Sequence, residues 1–206
     1  MGVISNGTTL LDAGAIDSGI ATGAMTLIKT VTASTSSTIS FVDGASGVVL
    51  DDTYKEYIIK FTDVHLGSDD KRFTLQGSID AGSNYNVNAT TSTFRSVHLE
   101  NDNEAKIEYT ASHDSDNGTA FFQISDILGS GNNADDCIAG FLQLFNPSST
   151  TFVKHFKGRF NANNTGECIG GFGAGYFNTT SAIDAIQFKA DAGNIDAGTF
   201  KLYGIK

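Results

Sequence analysis

The sequence predicts an all-β fold, and three observations carry that expectation. Apolar and polar residues alternate at the two-residue period of a strand, and no segment holds an apolar stripe at helical spacing. Clusters of Gly, Asn, Asp and Ser cut these alternating stretches into roughly ten or more short runs. No internal repeat of fixed period is present, so a propeller or solenoid is excluded. For a chain of 206 residues, this size and turn spacing suit an antiparallel β-sandwich of jelly-roll type with an extended N-terminal arm. A closed barrel is the alternative.

Residues 1–24 are rich in Gly, Ala, Ser, Thr and Asp, with Leu10, Leu11, Ile16 and Ile20 scattered among them and no sustained period. Such a segment cannot bury enough surface by itself to offset its ordering entropy. It reads either as a frayed terminus or as an attachment arm whose four aliphatic residues insert against a partner. Residues 25–206 are then a single sandwich domain. MTLIKTV and STISFV open it, DGASG breaks the chain, and Tyr57, Ile59 and Phe61 alternate inward along the next strand. RFTLQGSI carries Phe73 and Leu75 inward, and the loop DAGSNYN follows. STFRSVHL, AKIEYTA and TAFFQISDI read as further strands. CIAGFLQLFN is almost continuously apolar, as expected of a strand buried on both faces. After the Asn146-Pro147 turn come TFVKHFKGRF and the glycine-rich IGGFGAGYF.

The last stretch, Ile183 to Lys206, organises the rest. Ile186, Phe188 and Ala190 alternate with polar residues, and after a Gly/Asn/Asp loop so do Phe200 and Leu202. Two strands joined by a short polar loop predict an antiparallel hairpin, here a central seam against which earlier strands close.

Composition narrows the function. The formal net charge is −10, which disfavours non-specific binding to nucleic acid or to an anionic membrane. No apolar run approaches the roughly 18–20 residues that span a bilayer, and the N-terminus lacks the pattern of a signal peptide. Cys137 and Cys168 have no metal-ligand spacing and read as two free thiols, with a single bridge between them as the alternative. With 15 Phe and no Trp, phenylalanine supplies most of the bulky packing.

No pattern carries chemistry. HDSDNG imitates a calcium loop at Asp114 and Asp116, but Gly118 and Ser125 stand where oxygen ligands belong. The four histidines, His65, His98, His113 and His155, form no ligand pair, and the adjacent carboxylate pairs fall in turns. No nucleophile elbow is present. The expectation is a protein with no catalytic residues, no cofactor and no metal. GGFGAGYF leaves one strand face without side chains, so another layer can approach closely; a sugar-stacking platform built on Tyr176 or Phe177 is the lesser reading. TFVKHFKGRF puts His155, Lys157 and Arg159 on one face opposite Phe156 and Phe160, either a solvated strand face or a stripe that docks an acidic partner.

MTLIKTVTASTSSTISF, YKEYIIKFTDVHL and the S-x-D-x-G-x-x-Y turn of SIDAGSNY resemble the opening strands of small β-rich virion proteins of tailed bacteriophages. AIDAIQFKADAGNIDAGTFKLYGIK is similar to their terminal hairpin, with Phe188, Gly193, Asn194, Gly198, Leu202, Tyr203 and Gly204 in the expected places, and NGTTLLDAGAID to their attachment segments. The resemblance covers about residues 25–90 and 140–206; residues 91–135 match nothing in that group. It implies a non-enzymatic virion component, on the tail apparatus or the head surface, made in the host cytoplasm. It also implies other virion proteins as partners, a homo-oligomer with a trimer favoured, and host-surface glycans as the alternative ligand; the acidic charge adds the expectation of no nucleic acid or membrane partner.

Overall fold

The structure is a computed structural model that describes residues 3–5, 8–12, 15–16, 23–123 and 132–206. In chain order its strands are β1 (Val3–Ser5), β2 (Thr8–Asp12), β3 (Ala15–Ile16), β4 (Met25–Ser36), β5 (Ile39–Val42), β6 (Glu56–Leu66), β7 (Phe73–Ser78) and β8 (Ala89–Leu99). They continue as β9 (Ala105–Glu108), β10 (Phe122–Gln123), β11 (Cys137–Phe145), β12 (Lys154–Asn164), β13 (Glu167–Phe177), β14 (Ala185–Ala190) and β15 (Ile195–Ile205). The all-β expectation holds. One short 3₁₀ turn, Ala111–His113, is the helical exception among the described residues.

An eight-stranded sheet runs in the order β4-β15-β6-β11-β12-β13-β8-β9, and a four-stranded sheet in the order β10-β7-β14-β5. Every pairing in both is antiparallel. The sheets meet face to face through phenylalanine. Phe61 of β6 stacks on Phe160 of β12 at 5.2 Å and meets Phe73 of β7 edge-on at 5.3 Å, while Phe73 stacks on Phe188 of β14 at 5.5 Å. A second cluster joins Phe122 of β10 to Phe156 (5.4 Å) and Phe177 (6.0 Å) of the larger sheet. Tyr57, Phe61, Phe73, Leu75, Phe188 and Leu202 are all buried, as the alternation predicts.

The terminal hairpin is a correction. β14 and β15 do not pair: β14 lies between β7 and β5 in the small sheet, and β15 between β4 and β6 in the large one. Both do occupy interior positions, so the seam survives without the hairpin. The loop between them crosses from sheet to sheet, as does the turn from β6 to β7, and the two corners bond each other. Gly67 N donates to Asn194 O (2.9 Å), Asp191 N to Arg72 O (3.0 Å) and Arg72 N to Asp191 Oδ1 (3.0 Å). β11 is corrected too. Ile138, Leu142 and Leu144 are buried, but Phe141, Gln143 and Phe145 on the opposite face are only half-buried, because that face has no covering layer among the described residues.

Residues 1–24, which show no period in sequence, contain β1, β2 and β3. These pair antiparallel with one another as a separate small sheet, with Val3 opposite Leu11 and Leu11 opposite Ile16. Leu10 and Leu11 fall on β2 and Ile16 on β3. Ile20 lies outside the described residues.

The S-x-D-x-G-x-x-Y turn is a self-bonded loop. Ser78 Oγ donates to Asp80 Oδ1 (2.8 Å), and Gly82 N donates to Ser78 Oγ (3.0 Å). Asn84 donates from its backbone N–H to Asp80 Oδ1 (2.9 Å) and from Nδ2 to Oδ2 (2.7 Å). These bonds hold the Asp80 carboxyl below its ordinary pKa. Gly82 has φ +76°, and a Cβ there would sit 2.8 Å from Tyr85 Oη, so glycine is required. Each motif residue has a structural task.

Candidate functional site

Strand alternation sends His155, Lys157 and Arg159 of β12 outward and Phe156, Phe160 and Ala162 into the core. The antiparallel register then aligns these cations with side chains that are far apart in sequence. One row across the large sheet reads Phe94, Phe172, Arg159, Phe141, Lys60 and Lys201, from β8 to β15. The next reads Ser92, Ala174, Lys157, Gln143, Ile58 and Tyr203. Neither row holds a carboxylate, in a chain whose net charge is −10.

Aromatic rings order the first row. Phe94, 42 % exposed, lies flat against Phe172 with ring centres 4.9 Å apart and planes 7° from parallel. The Arg159 guanidinium sits 4.7 Å above the centre of Phe172 on the neighbouring strand. Lys157 Nζ approaches the Phe145 ring at 5.3 Å, and Lys60 Nζ the Tyr203 ring at 5.7 Å. Such contacts hold cations by the ring quadrupole while leaving their N–H groups free for a ligand. His155 stands 5.9 Å from Tyr176. Close by, Gln143 Nε2 donates to Glu56 Oε2 (2.6 Å), which engages the nearest acid of β6.

Between the rings the surface is open. A depression of about 420 Å³ lies among Phe94, Phe172, Phe141, Lys157 and Arg159. A second, of about 300 Å³, lies beside His155 and Tyr176. Both include Ser92 and Ala174, so they form one shallow groove floored by small residues.

Gly171, Gly173 and Gly175 of β13 serve the opposite face. Gly175 is opposite Phe156, and a Cβ there would come within 2.7 Å of the Phe156 ring, so the missing side chain admits a core phenylalanine. Of the two rings offered as a stacking platform, Tyr176 is on the outer face. Phe177 is fully buried in the core and cannot serve. Phe94, Phe141 and Phe172 were not legible as partners of the stripe. Their one sequence signal is phase: Phe94 is out of step with Val97, and Phe172 with Ile169, the buried residues of their strands.

The other candidates do different work. Asp114 accepts from Thr93 N (2.8 Å) and Thr93 Oγ1 (2.9 Å) with one oxygen and from Tyr109 Oη (2.7 Å) with the other. It ties the HDSDNG loop over the stretch of β8 that β9 leaves unpaired, rather than presenting a free ligand. Among the described residues no three His, Cys, Asp or Glu side chains converge as a metal site. His65 donates from Nε2 to Asn133 O (3.0 Å) and His98 meets Asp102 (3.2 Å), both away from His155. Cys137 and Cys168 are free thiols on β11 and β13, each opposite Asn163 of β12.

No protein-family model, curated protein or solved structure matches the chain. Its functional reading therefore rests on its own geometry and on the resemblance of its motifs. Chemically, the outer face can stack a ring, hold an anion beside it and exchange hydrogen bonds at the groove floor.

Proposed function

We propose that this protein is a non-enzymatic structural component of a bacteriophage virion, a tail appendage or head-surface protein of jelly-roll type. In this reading it joins other virion proteins through residues 1–24 as a homo-oligomer, with a trimer favoured. The observation that carries the proposal is the alternation of strands between sheets. β4, β6, β11 and β15 belong to the large sheet, and β5, β7, β10 and β14 to the small one, in the orders β4-β15-β6-β11 and β5-β14-β7-β10. That interleaving suits a jelly roll whose larger sheet is widened by β8–β9 and by β12–β13. Jelly rolls serve as viral capsid and lectin domains, and the motif resemblance favours the virion. Because fold alone does not fix function, the test is direct: locate the chain on purified particles by cryo-electron microscopy and count its copies. Symmetric, stoichiometric density supports the proposal, and its absence from particles overturns it.

The stacked rings Phe94 and Phe172 favour a second reading, a carbohydrate-binding module for host-surface glycans. Phe94 is 42 % exposed and Tyr176 lies on the same outer face, and such rings offer the apolar surface that a sugar ring covers. Binding of the purified protein to a glycan array tests it.

A further inference from the structure

We infer that the groove along β12 and β13 takes an acidic glycan, with Tyr176 as the stacking ring and with Arg159, held by Phe172, and Lys157 as readers of its carboxylates. This rests on the carbohydrate-binding reading and adds the chemical class of the ligand, the site and the role of each side chain.

The two rings lie on one strand and one face, four residues apart, which is about 13 Å at the rise of a β-strand. Between them Ala174 and its cross-strand neighbour Ser92 are small, so the floor is open from one ring to the other. Both faces of Phe172 are taken, by Phe94 and by Arg159, so a sugar ring lies over Tyr176 with the Ser92 hydroxyl beneath the next unit toward Arg159.

The cations supply the selectivity. Arg159 and Lys157 make no ion pair with any described residue; the acid-base pairs found are Arg95–Glu108, His98–Asp102 and those of Lys106 with Glu104 and Glu108. The Phe172 ring pins the guanidinium plane, so its fork of N–H donors is oriented before any ligand arrives. A planar carboxylate is the group that such a fork matches in bidentate fashion. Lys157 lies two residues along β12, about 7 Å away, where it meets a second carboxylate or a hydroxyl.

Charge density separates this ligand from other anions. A nucleic acid brings one phosphate per nucleotide against a chain of net charge −10, and long-range repulsion opposes it. A glycan with one carboxylate per repeat presents few charges, and the local cations of this face answer them. A second copy of the chain carries the same net negative charge and gains less from the same face.

The test is a nitrogen-15 chemical-shift titration of the full chain with oligogalacturonate, oligosialate and hyaluronate, set against methyl-esterified oligogalacturonate and dextran oligosaccharides as neutral probes. The expected result is that at least one acidic probe shifts the amides of residues 92–94, 157–159 and 172–176. Where oligogalacturonate binds, the methyl ester should bind about tenfold more weakly or worse, the scale of one lost charge-assisted hydrogen bond. Arg159→Gln should weaken acidic probes by a similar factor and Arg159→Lys by less; Phe172→Ala, which releases the guanidinium, should weaken acidic probes alone, and Tyr176→Ala every probe that binds. The amide spectrum of each variant reports whether it is folded. Equal binding of neutral probes at these residues overturns the acidic assignment and leaves the carbohydrate reading standing. Absence of any shift with all probes overturns both. Binding that survives Tyr176→Ala and Arg159→Gln in folded protein overturns the site. Concentration-dependent dimerisation abolished by Phe94→Ser assigns the face to a second copy and overturns the proposal.

Discussion

Lys154 begins β12 on the inward face, 1 % exposed, and its ammonium donates to the carbonyls of Phe152 (2.8 Å) and Thr179 (3.1 Å). Neither acceptor is charged, so burial pushes the group below its ordinary 10.5. The unfolded chain then binds more protons than the folded one in the window below 10.5, and stability rises with pH across it. Relative to Lys154→Met, the wild-type protein should therefore gain unfolding free energy as pH rises from neutral toward that value, as measured by urea titration at each pH. A residue of the opposite kind is Phe188, fully buried and stacked on Phe73. Phe188→Ala should destabilise by about 3–5 kcal/mol, the usual cost of emptying a buried aromatic site, read from the same titrations. Phe188 was legible because its neighbours Gln187 and Lys189 mark the wet face. Lys154 shares the phase of Phe156 and Phe160, yet a lysine there reads as a strand end, and only the carbonyls of Phe152 just before the strand and of Thr179 beyond β13 reveal its burial.

At the scale of the element, alternation reports which side of a strand faces the core but not which sheet the strand joins. That is why the inward residues of β6, β7, β14 and β15 were legible while the β14–β15 pairing was not: a short polar loop serves equally for a hairpin and for a crossing between sheets. β8 hides its phase further, because Thr91, Thr93 and Arg95 occupy buried positions normally apolar. Arg95 is satisfied there by Glu108 of β9, with Nε at 2.8 Å and Nη2 at 2.5 Å from Oε2. Lys106 bridges Glu104 and Glu108, each at 2.7 Å. A lysine and a tied-down carboxylate are the devices that keep an edge strand from pairing with other chains. The Lys106 ammonium, and after it the Arg95 guanidinium, hold the Glu108 carboxyl below its ordinary 4.5. With the folded value depressed, its contribution is present above 4.5 and is lost as pH falls through the folded value. Hydrogen exchange at the amides of 105–108, corrected for intrinsic rates, should accelerate on acidification in the wild type. In Glu108→Gln it should be fast already at neutral pH and respond little to acid.

For the whole molecule, composition and fold carry different information. A net charge of −10 conceals a cationic, carboxylate-free band on one sheet face, because β8, β11, β12 and β13 meet there only after folding. The stripe of His155, Lys157 and Arg159 was legible because it lies on one strand; its rings were not, because they come from three others. The attachment proposed for residues 1–24 belongs to the same scale. Both phenylalanine clusters and both sheets of the sandwich lie within residues 25–206, whereas β1–β3 pair only among themselves among the described residues. A sheet of three strands, the longest five residues, is marginal alone. Four aliphatic residues yield about 1.5–3 kcal/mol each when fully covered, whereas fixing each backbone residue costs about 1–2 kcal/mol. Docking through residues 1–24 therefore also needs backbone hydrogen bonds to a neighbouring sheet edge or several copies bound together. Deleting residues 1–24 should leave the far-ultraviolet circular dichroism of residues 25–206 β-rich and their thermal transition cooperative, while incorporation into particles is lost. Wild-type occupancy of the truncated chain would remove the attachment role from this segment and transfer it to the outer sheet face, where the Lys157 and Arg159 variants would then be the ones that fail to assemble.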